Sequence, residues 1–292
     1  MSGFSVWGLA ARPKTLPAAV APVLVGTALA IDTGVWEPAA TLFCVVFAGL
    51  VQIGTNYAND YYDFVNGADT PDRSGPARAT AAGFIRPLAM RRAAFLVFGL
   101  AFLAGMPLVL YGGWWLVPIG LVCLAAGLAY TAGPWPLAYH GLGDVFVFLF
   151  FGVVAVTVTF FVHTGMVTIG VFTASLPVGA LITNILVVNN QRDRRSDSLA
   201  GKKTLAARFG ESFSLGEYFG LQALAFGAPV VLWLTDGGAF VLLPLVLIPW
   251  AAYLFREFAK AESGAAYNSV LSGTACLALA FSALFAAGIL LA

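Results

Sequence analysis

The sequence predicts an all-α integral membrane bundle of nine transmembrane helices around a central cavity, with cytoplasmic cap loops. Three observations carry that expectation. Of 292 residues, 60% are hydrophobic and only 10% charged, against about 25% charged in an ordinary soluble domain. No Lys, Arg, Asp or Glu occurs between Arg92 and Asp144 or between Asp144 and Arg192, and each run exceeds twice the roughly 20 apolar residues one span requires. Finally, all 15 basic residues fall in alternate loops, the asymmetry expected of cytoplasmic segments.

The two charge-free runs each cross twice, breaking near Gly112-Gly113 and near His163-Thr164-Gly165. With the other apolar windows the spans fall near 15 to 33, 38 to 57, 93 to 111, 114 to 132, 144 to 162, 167 to 189, 216 to 234, 238 to 255 and 270 to 291. Continuous runs of helical length argue against a membrane barrel, whose strands read as short alternating segments. The bases follow spans two, six and eight or precede the first. The opposite loops hold Asp32, Glu37, Asp236 and His163, so the amino terminus and the cap loops are expected inside and the carboxyl terminus outside, in an inner membrane of bacterial type.

A signal peptide is imitated by the first span, which ends near Ala28-Leu29-Ala30, but the segment reads better as a retained helix. Cys44, Cys123 and Cys276 lie in separate spans without paired spacing and read as packing residues. A single domain is expected over 1–292, with long cap loops at about 60–92 and 190–215. Long loops in compact proteins usually carry function.

Both loops begin with an Asn and Asp series. On a helix, Asn56, Asp60 and Asp63 stand at i, i+4 and i+7 and share one face, as do Asn189, Asp193 and Asp197 at i, i+4 and i+8. The pair Asn56 and Asp60 recurs as Asn189 and Asp193 at the same spacing, through duplication or through chance over two residue types. Carboxylates so close repel unless a cation joins them, and hard oxygen donors suit Mg²⁺. Ordinary capping acids explain either series alone. Two at equivalent helix ends on one membrane side are harder to explain by solvation, because polar clusters near membrane depth are expensive.

Mg²⁺ takes one or two carboxylates plus phosphate oxygens, so the pair suggests a diphosphate held between metal ions. Lys14, Arg73, Arg78, Arg192 and Lys202 are the bases placed to hold the remaining phosphate charge, although positive-inside topology accounts for many of them. A Gly- and Pro-rich turn after Tyr130 brings Tyr130, Tyr139 and Asp144 to the same mouth, where aromatic faces stabilise a developing cation; interfacial anchoring is the other reading of the tyrosines. His140 and His163 lack partners at metal-ligand spacing and are expected to be structural.

These residues resemble the UbiA superfamily of membrane prenyltransferases. The segments Ala11 to Pro17, Asn56 through Arg73 to Gly83, Tyr130 to Gly152 and Asn189 to Gly210 are similar to the 1,4-dihydroxy-2-naphthoate branch of menaquinone biosynthesis. The hydroxybenzoate branch carries a further Asp where this chain has Gly67, whereas here the acids continue at Asp69 and Asp72. The resemblance implies Mg²⁺ ligation through Asn56, Asp60, Asp63, Asp193 and Asp197, in a site holding two ions. It also implies transfer of a polyprenyl chain from polyprenyl diphosphate to 1,4-dihydroxy-2-naphthoate, with loss of CO₂ and diphosphate, giving demethylmenaquinol. Hydroxybenzoate or homogentisate is the alternative acceptor, and an ion-coupled secondary transporter the alternative class. Membrane lipid is the expected surrounding, and nucleic acid is not an expected partner. The last quarter of the chain carries no recognised motif.

Overall fold

The computed structural model describes residues 3–69, 75, 77–235 and 238–292, and among these every regular element is helical. Helix α1 (Gly3–Ala11) leads through a left-handed residue, Arg12, and a short turn into α2 (Pro17–Asp32). Helix α3 (Pro38–Val65) and α4 (Pro87–Gly105) both start with proline, whose missing N–H is free of cost in a first turn. Then come α5 (Val109–Gly112), α6 (Leu116–Ala129) and α7 (Gly143–Val147), the last continuing through a π-helical stretch, Phe148–Val154, into α8 (Ala155–Thr164). Helices α9 (Ile169–Leu199) and α10 (Leu205–Thr235) are followed by a 3₁₀ stretch, α11 (Ile248–Ala259) and α12 (Gly264–Leu291).

Among the described residues, seven helical segments are long and apolar enough to cross a membrane, or eight if the first two helices, bent by 48°, form one broken span. The protein is therefore an integral membrane protein. The expected count of nine is not confirmed, because the segment predicted at 114–132 forms a helix of only 14 residues. At 1.5 Å per residue that is about 21 Å, short of the roughly 30 Å hydrocarbon core. Pro118 sits in its first turn, and the Gly133-Pro134 turn stops it at the other end.

The cap loops are also shorter than expected. Helix α3 runs eight residues past the apolar window and α9 runs ten past, so residues 60–65 and 190–199 are helical. Hydropathy fades there because the residues buried at those ends are polar, Asp60, Asp63, Arg192, Asp193 and Asp197 among them, while the backbone bonds continue. Both Asn and Asp series thus lie on the last turns of helices, at one end of the bundle.

Helix α9 is the central post: 78% of its most apolar window is buried inside the protein, the largest share of any span. Its core partners are Val25, Val156, Phe160, Leu277 and Phe281 from α2, α8 and α12. The π-helical stretch crosses it at a glycine pair, where a Cβ on Gly179 would stand 2.8 Å from the Phe148 carbonyl oxygen and 3.0 Å from the Cα of Gly152. Small residues let backbones approach closely in membrane bundles. Gly179→Val is expected to lower stability in detergent by ~1–3 kcal/mol through overpacking. Gly216→Ala, where a Cβ meets nothing within 4 Å, should not lower it; equal melting temperatures for both variants would contradict this packing.

Candidate active site

At the end of the bundle where α3 and α9 terminate, a cavity of about 330 Å³ opens. Its deeper wall is apolar, with Phe47, Leu116, Phe150 and Phe151, and its mouth holds Arg12, Asn59, Asp63, Arg78, Asp193, Asp197 and Lys202. At about 100° per residue, Asn56, Asn59 and Asp63 fall within one narrow stripe of α3, and all three line the cavity. Asp60 sits on the shoulder of that stripe.

The geometry joins the two acidic series through one side chain. The Lys202 Nζ lies 2.9 Å from Asp63 Oδ1 and 4.0 Å from Asp197 Oδ1. It also stands 4.8 Å from the centroid of the Tyr139 ring, within cation–π range. The Tyr139 hydroxyl donates to Asp63 Oδ1 at 3.0 Å. Burial works against the Lys202 charge, but Asp63 and then Asp197 outweigh it and hold the ammonium pKa above its ordinary value. Burial, with the Asp63 charge next, raises the Tyr139 pKa, so the phenol keeps its proton.

Local folding sets this contact. Glycine is required after α9, where Gly201 takes a positive φ of 75°, and the Lys202 N–H then bonds back to the Asp197 carbonyl at 2.8 Å. The next N–H, of Lys203, donates to the Tyr139 carbonyl, and Arg208 Nη2 to that of His140. The five-residue turn is thereby tied to the 137–140 turn.

Several expected residues sit elsewhere or do other work. The Asp60 carboxylate, 1% exposed, turns from the cavity and accepts the N–H groups of Ala79 and Thr80 at 3.0 and 2.8 Å. Position on the shoulder of the helix stripe aims it at the returning loop. Arg192 is not presented to the cavity either: its guanidinium forks onto Asp193 at 2.8 Å through Nε and Nη2. Lys14 is exposed on the turn before α2, and its neighbour Arg12 lines the cavity instead. Asp144 is buried behind the wall, with Asn190 Nδ2 donating to it at 3.5 Å. Arg73 lies outside the described residues. Tyr130, Asn189 and Arg78 line the cavity, Arg78 beside Asp69 at 3.5 Å.

Sequence reasoning missed Arg12, Asn59, Asp69 and Asn190 as lining residues. Each stood next to or near a chosen residue, and the i, i+3 relation of Asn56 to Asn59 was the available signal. Asn59 Oδ1 accepts from Thr131 at 2.7 Å, and the Asn56 amide donates to the Ala11 carbonyl at 2.9 Å, which pins the bend before α2.

The donors at the mouth are carboxylate and amide oxygens, the hard set that suits Mg²⁺. Among the described residues no three His, Cys, Asp or Glu side chains converge on one point. The Lys202 ammonium between Asp63 and Asp197 marks that gap as one that favours a cation.

The chain belongs to the UbiA prenyltransferase family, whose model matches residues 19–271, and it is a prenyltransferase. It is 40% identical over 227 residues to the 1,4-dihydroxy-2-naphthoate octaprenyltransferase of Mycobacterium tuberculosis, covering 77% of each chain. To the enzyme of that name from Escherichia coli it is 35% identical, over 100% of this chain and 97% of the relative. Among solved structures, a UbiA homolog from Archaeoglobus fulgidus bound to GPP and Mg²⁺ superposes with a TM-score of 0.66 at 14% identity, covering 98% of this chain and all of that one.

Two measurements check the mouth. Lys202→Met leaves Asp63 and Asp197 without their shared ammonium and is expected to cost up to ~3 kcal/mol of stability in metal-free detergent; an unchanged melting temperature would contradict the bridge. Asp60→Ala removes the acceptor for two loop N–H groups and should speed proteolysis within residues 77–86, whereas an unaltered cleavage pattern would show that the loop is held by other means.

Proposed function

We propose that this prenyltransferase moves a polyprenyl group from polyprenyl diphosphate to 1,4-dihydroxy-2-naphthoate, releasing diphosphate and CO₂ and yielding demethylmenaquinol. The relatives named for that reaction match this chain over most of its length. The observation that carries the reading is the Lys202 bridge between Asp63 and Asp197 at the rim of an apolar cavity. It supports a site for a ligand with a charged head and an isoprenoid tail.

In this reading the tail lies along the apolar wall and the head at the mouth. Asp63, Asp193 and Asp197, with the amide oxygens of Asn56, Asn59 and Asn189, are the donors that would hold Mg²⁺, two ions in all. The bound metal supplies charge neutralisation to the diphosphate. Lys202, Arg12 and Arg78 add cationic hydrogen-bond donors, which are shorter and stronger than neutral ones. Tyr139, kept protonated, holds Asp63 in its rotamer, and Asp60 holds the 77–80 segment over the site. Tyr130 faces the cavity where an allylic carbon would carry positive charge, and its ring face stabilises such charge.

The electron-rich carbon of the naphthoate forms the new bond to the allylic carbon as the C–O bond to diphosphate breaks. The carboxylate on the attacked carbon then leaves as CO₂, and its bonding electrons restore the aromatic ring. The surrounding membrane is a cytoplasmic one of bacterial type, with the mouth and amino terminus on the cytoplasmic side, where the basic residues gather.

Purified protein given Mg²⁺, a polyprenyl diphosphate and a panel of aromatic acids should yield a prenylated naphthoquinol with one CO₂ per product. Product from hydroxybenzoate or homogentisate alone, or none from any acid, would overturn the assignment. Asp63→Ala and Asp197→Ala are each expected to lower kcat/KM by at least ~10²-fold; near-normal turnover in both would remove them from the site.

A further inference from the structure

One of the four contacts of Arg192 reaches beyond its own helix. Nε and Nη2 hold Asp193, Nη2 also donates to Asn189 Oδ1 at 2.8 Å, and Nη1 donates to Asn268 Oδ1 at 2.7 Å. The Arg192 side chain is 3% exposed. Among the described residues, Asn268 is its one acceptor from another helix, near the start of α12.

Adjacent residues on a helix do not face each other. For Arg192 to fork onto Asp193 its guanidinium must curl back across the helix surface, and something outside α9 must hold it there. Asn268 supplies that acceptor. Its own place is set by packing, since Tyr267 and Val270 on either side are packed in a core with Val187 and Val188 of α9. A buried ion pair repays its desolvation only when the remaining donors are satisfied. Without the Asn268 oxygen, Nη1 loses this partner, only contacts from α9 itself hold the guanidinium, and the clamp that Asp193 and Asn189 share is loosened. Both of those residues line the cavity.

We infer that Asn268 is a positioning residue for the second acidic cluster, acting through Arg192, so that the carboxyl-terminal helix takes part in gripping the diphosphate. This rests on the donor site proposed above. Nothing about Asn268 in the sequence marks it, because it belongs to no Asn and Asp series and stands among ordinary residues of a helix start.

The test is a calorimetric titration of geranyl diphosphate with Mg²⁺ and no acceptor, on wild type, Asn268→Leu and Asn268→Asp, each with a thermal melt. Leucine matches the size but lacks the acceptor, and binding is expected to weaken ~10-fold or more, the usual cost of losing an outer-shell partner. Aspartate keeps an acceptor and should bind closer to wild type than to the leucine variant, a rescue that simple packing would not give. Should Asn268→Leu fail to fold, Asn268→Ala removes the acceptor without bulk and is read in the same way. Wild-type affinity in the acceptor-less variant, or equal weakness in the aspartate variant, overturns the inference alone. Failure of the wild type to bind the diphosphate overturns the donor site itself, and the inference with it.

Discussion

Two helices end in carboxylates at the same apolar mouth, and this arrangement cannot stand without a cation. Each helix presents its unpaired carbonyls at that end, equivalent to about half a negative charge. Asp63 and Asp197 add full charges in the last turn of α3 and α9. With water largely excluded, repulsion between them is stronger than at an open surface. The protein meets the constraint with Lys202, which bridges both. The same logic repeats around the rim, where Arg192 covers Asp193 and Arg78 stands beside Asp69, and behind it, where backbone N–H groups cover Asp60. The mouth is thus a set of acids, each held by a donor of the protein's own.

That polar rim sits on a cavity whose walls are almost wholly hydrocarbon. Segregation of this kind selects an amphiphile: the head finds charge and oxygen donors, and the tail finds Phe47, Phe150 and Phe151. Part of the wall comes from the π-helical stretch. A π turn widens a helix locally and is often found at functional sites. Here it lets the glycine pair with α9 close while turning Phe150 and Phe151 inward. Placement in a membrane follows from the same division, since a long prenyl tail never needs to enter water.

Much of this was legible because membranes simplify the code. Long charge-free runs mark where the chain enters the membrane, and bases on alternate loops suggest the threading. Helical spacing brings out both acidic series, since a tip rich in Asn and Asp interrupts an otherwise apolar chain. The rest was hidden for identifiable reasons. Helix ends outlast their hydropathy, so α3 and α9 ran on through segments that read as loop. Spacing places a residue on a face to within about a third of a turn, which cannot tell Asn59, in the cavity, from Asp60, against the 77–80 segment. Charge alone cannot tell a base that meets a ligand from one that meets a neighbouring acid, so Arg192 and Lys202 read alike although one is locked and the other bridges. Asn268 had no spacing at all to betray it, because its partner lies 76 residues away.

The most direct test is to soak Mn²⁺ with a prenyl diphosphate into the protein and locate the metal by its anomalous scattering. The account predicts a metal peak within coordination distance of Asp63 on one side and Asp197 on the other, with the Lys202 ammonium drawn off toward phosphate oxygens. Metal bound away from both carboxylates, or Lys202 still spanning them beside a fully bound diphosphate, would contradict it.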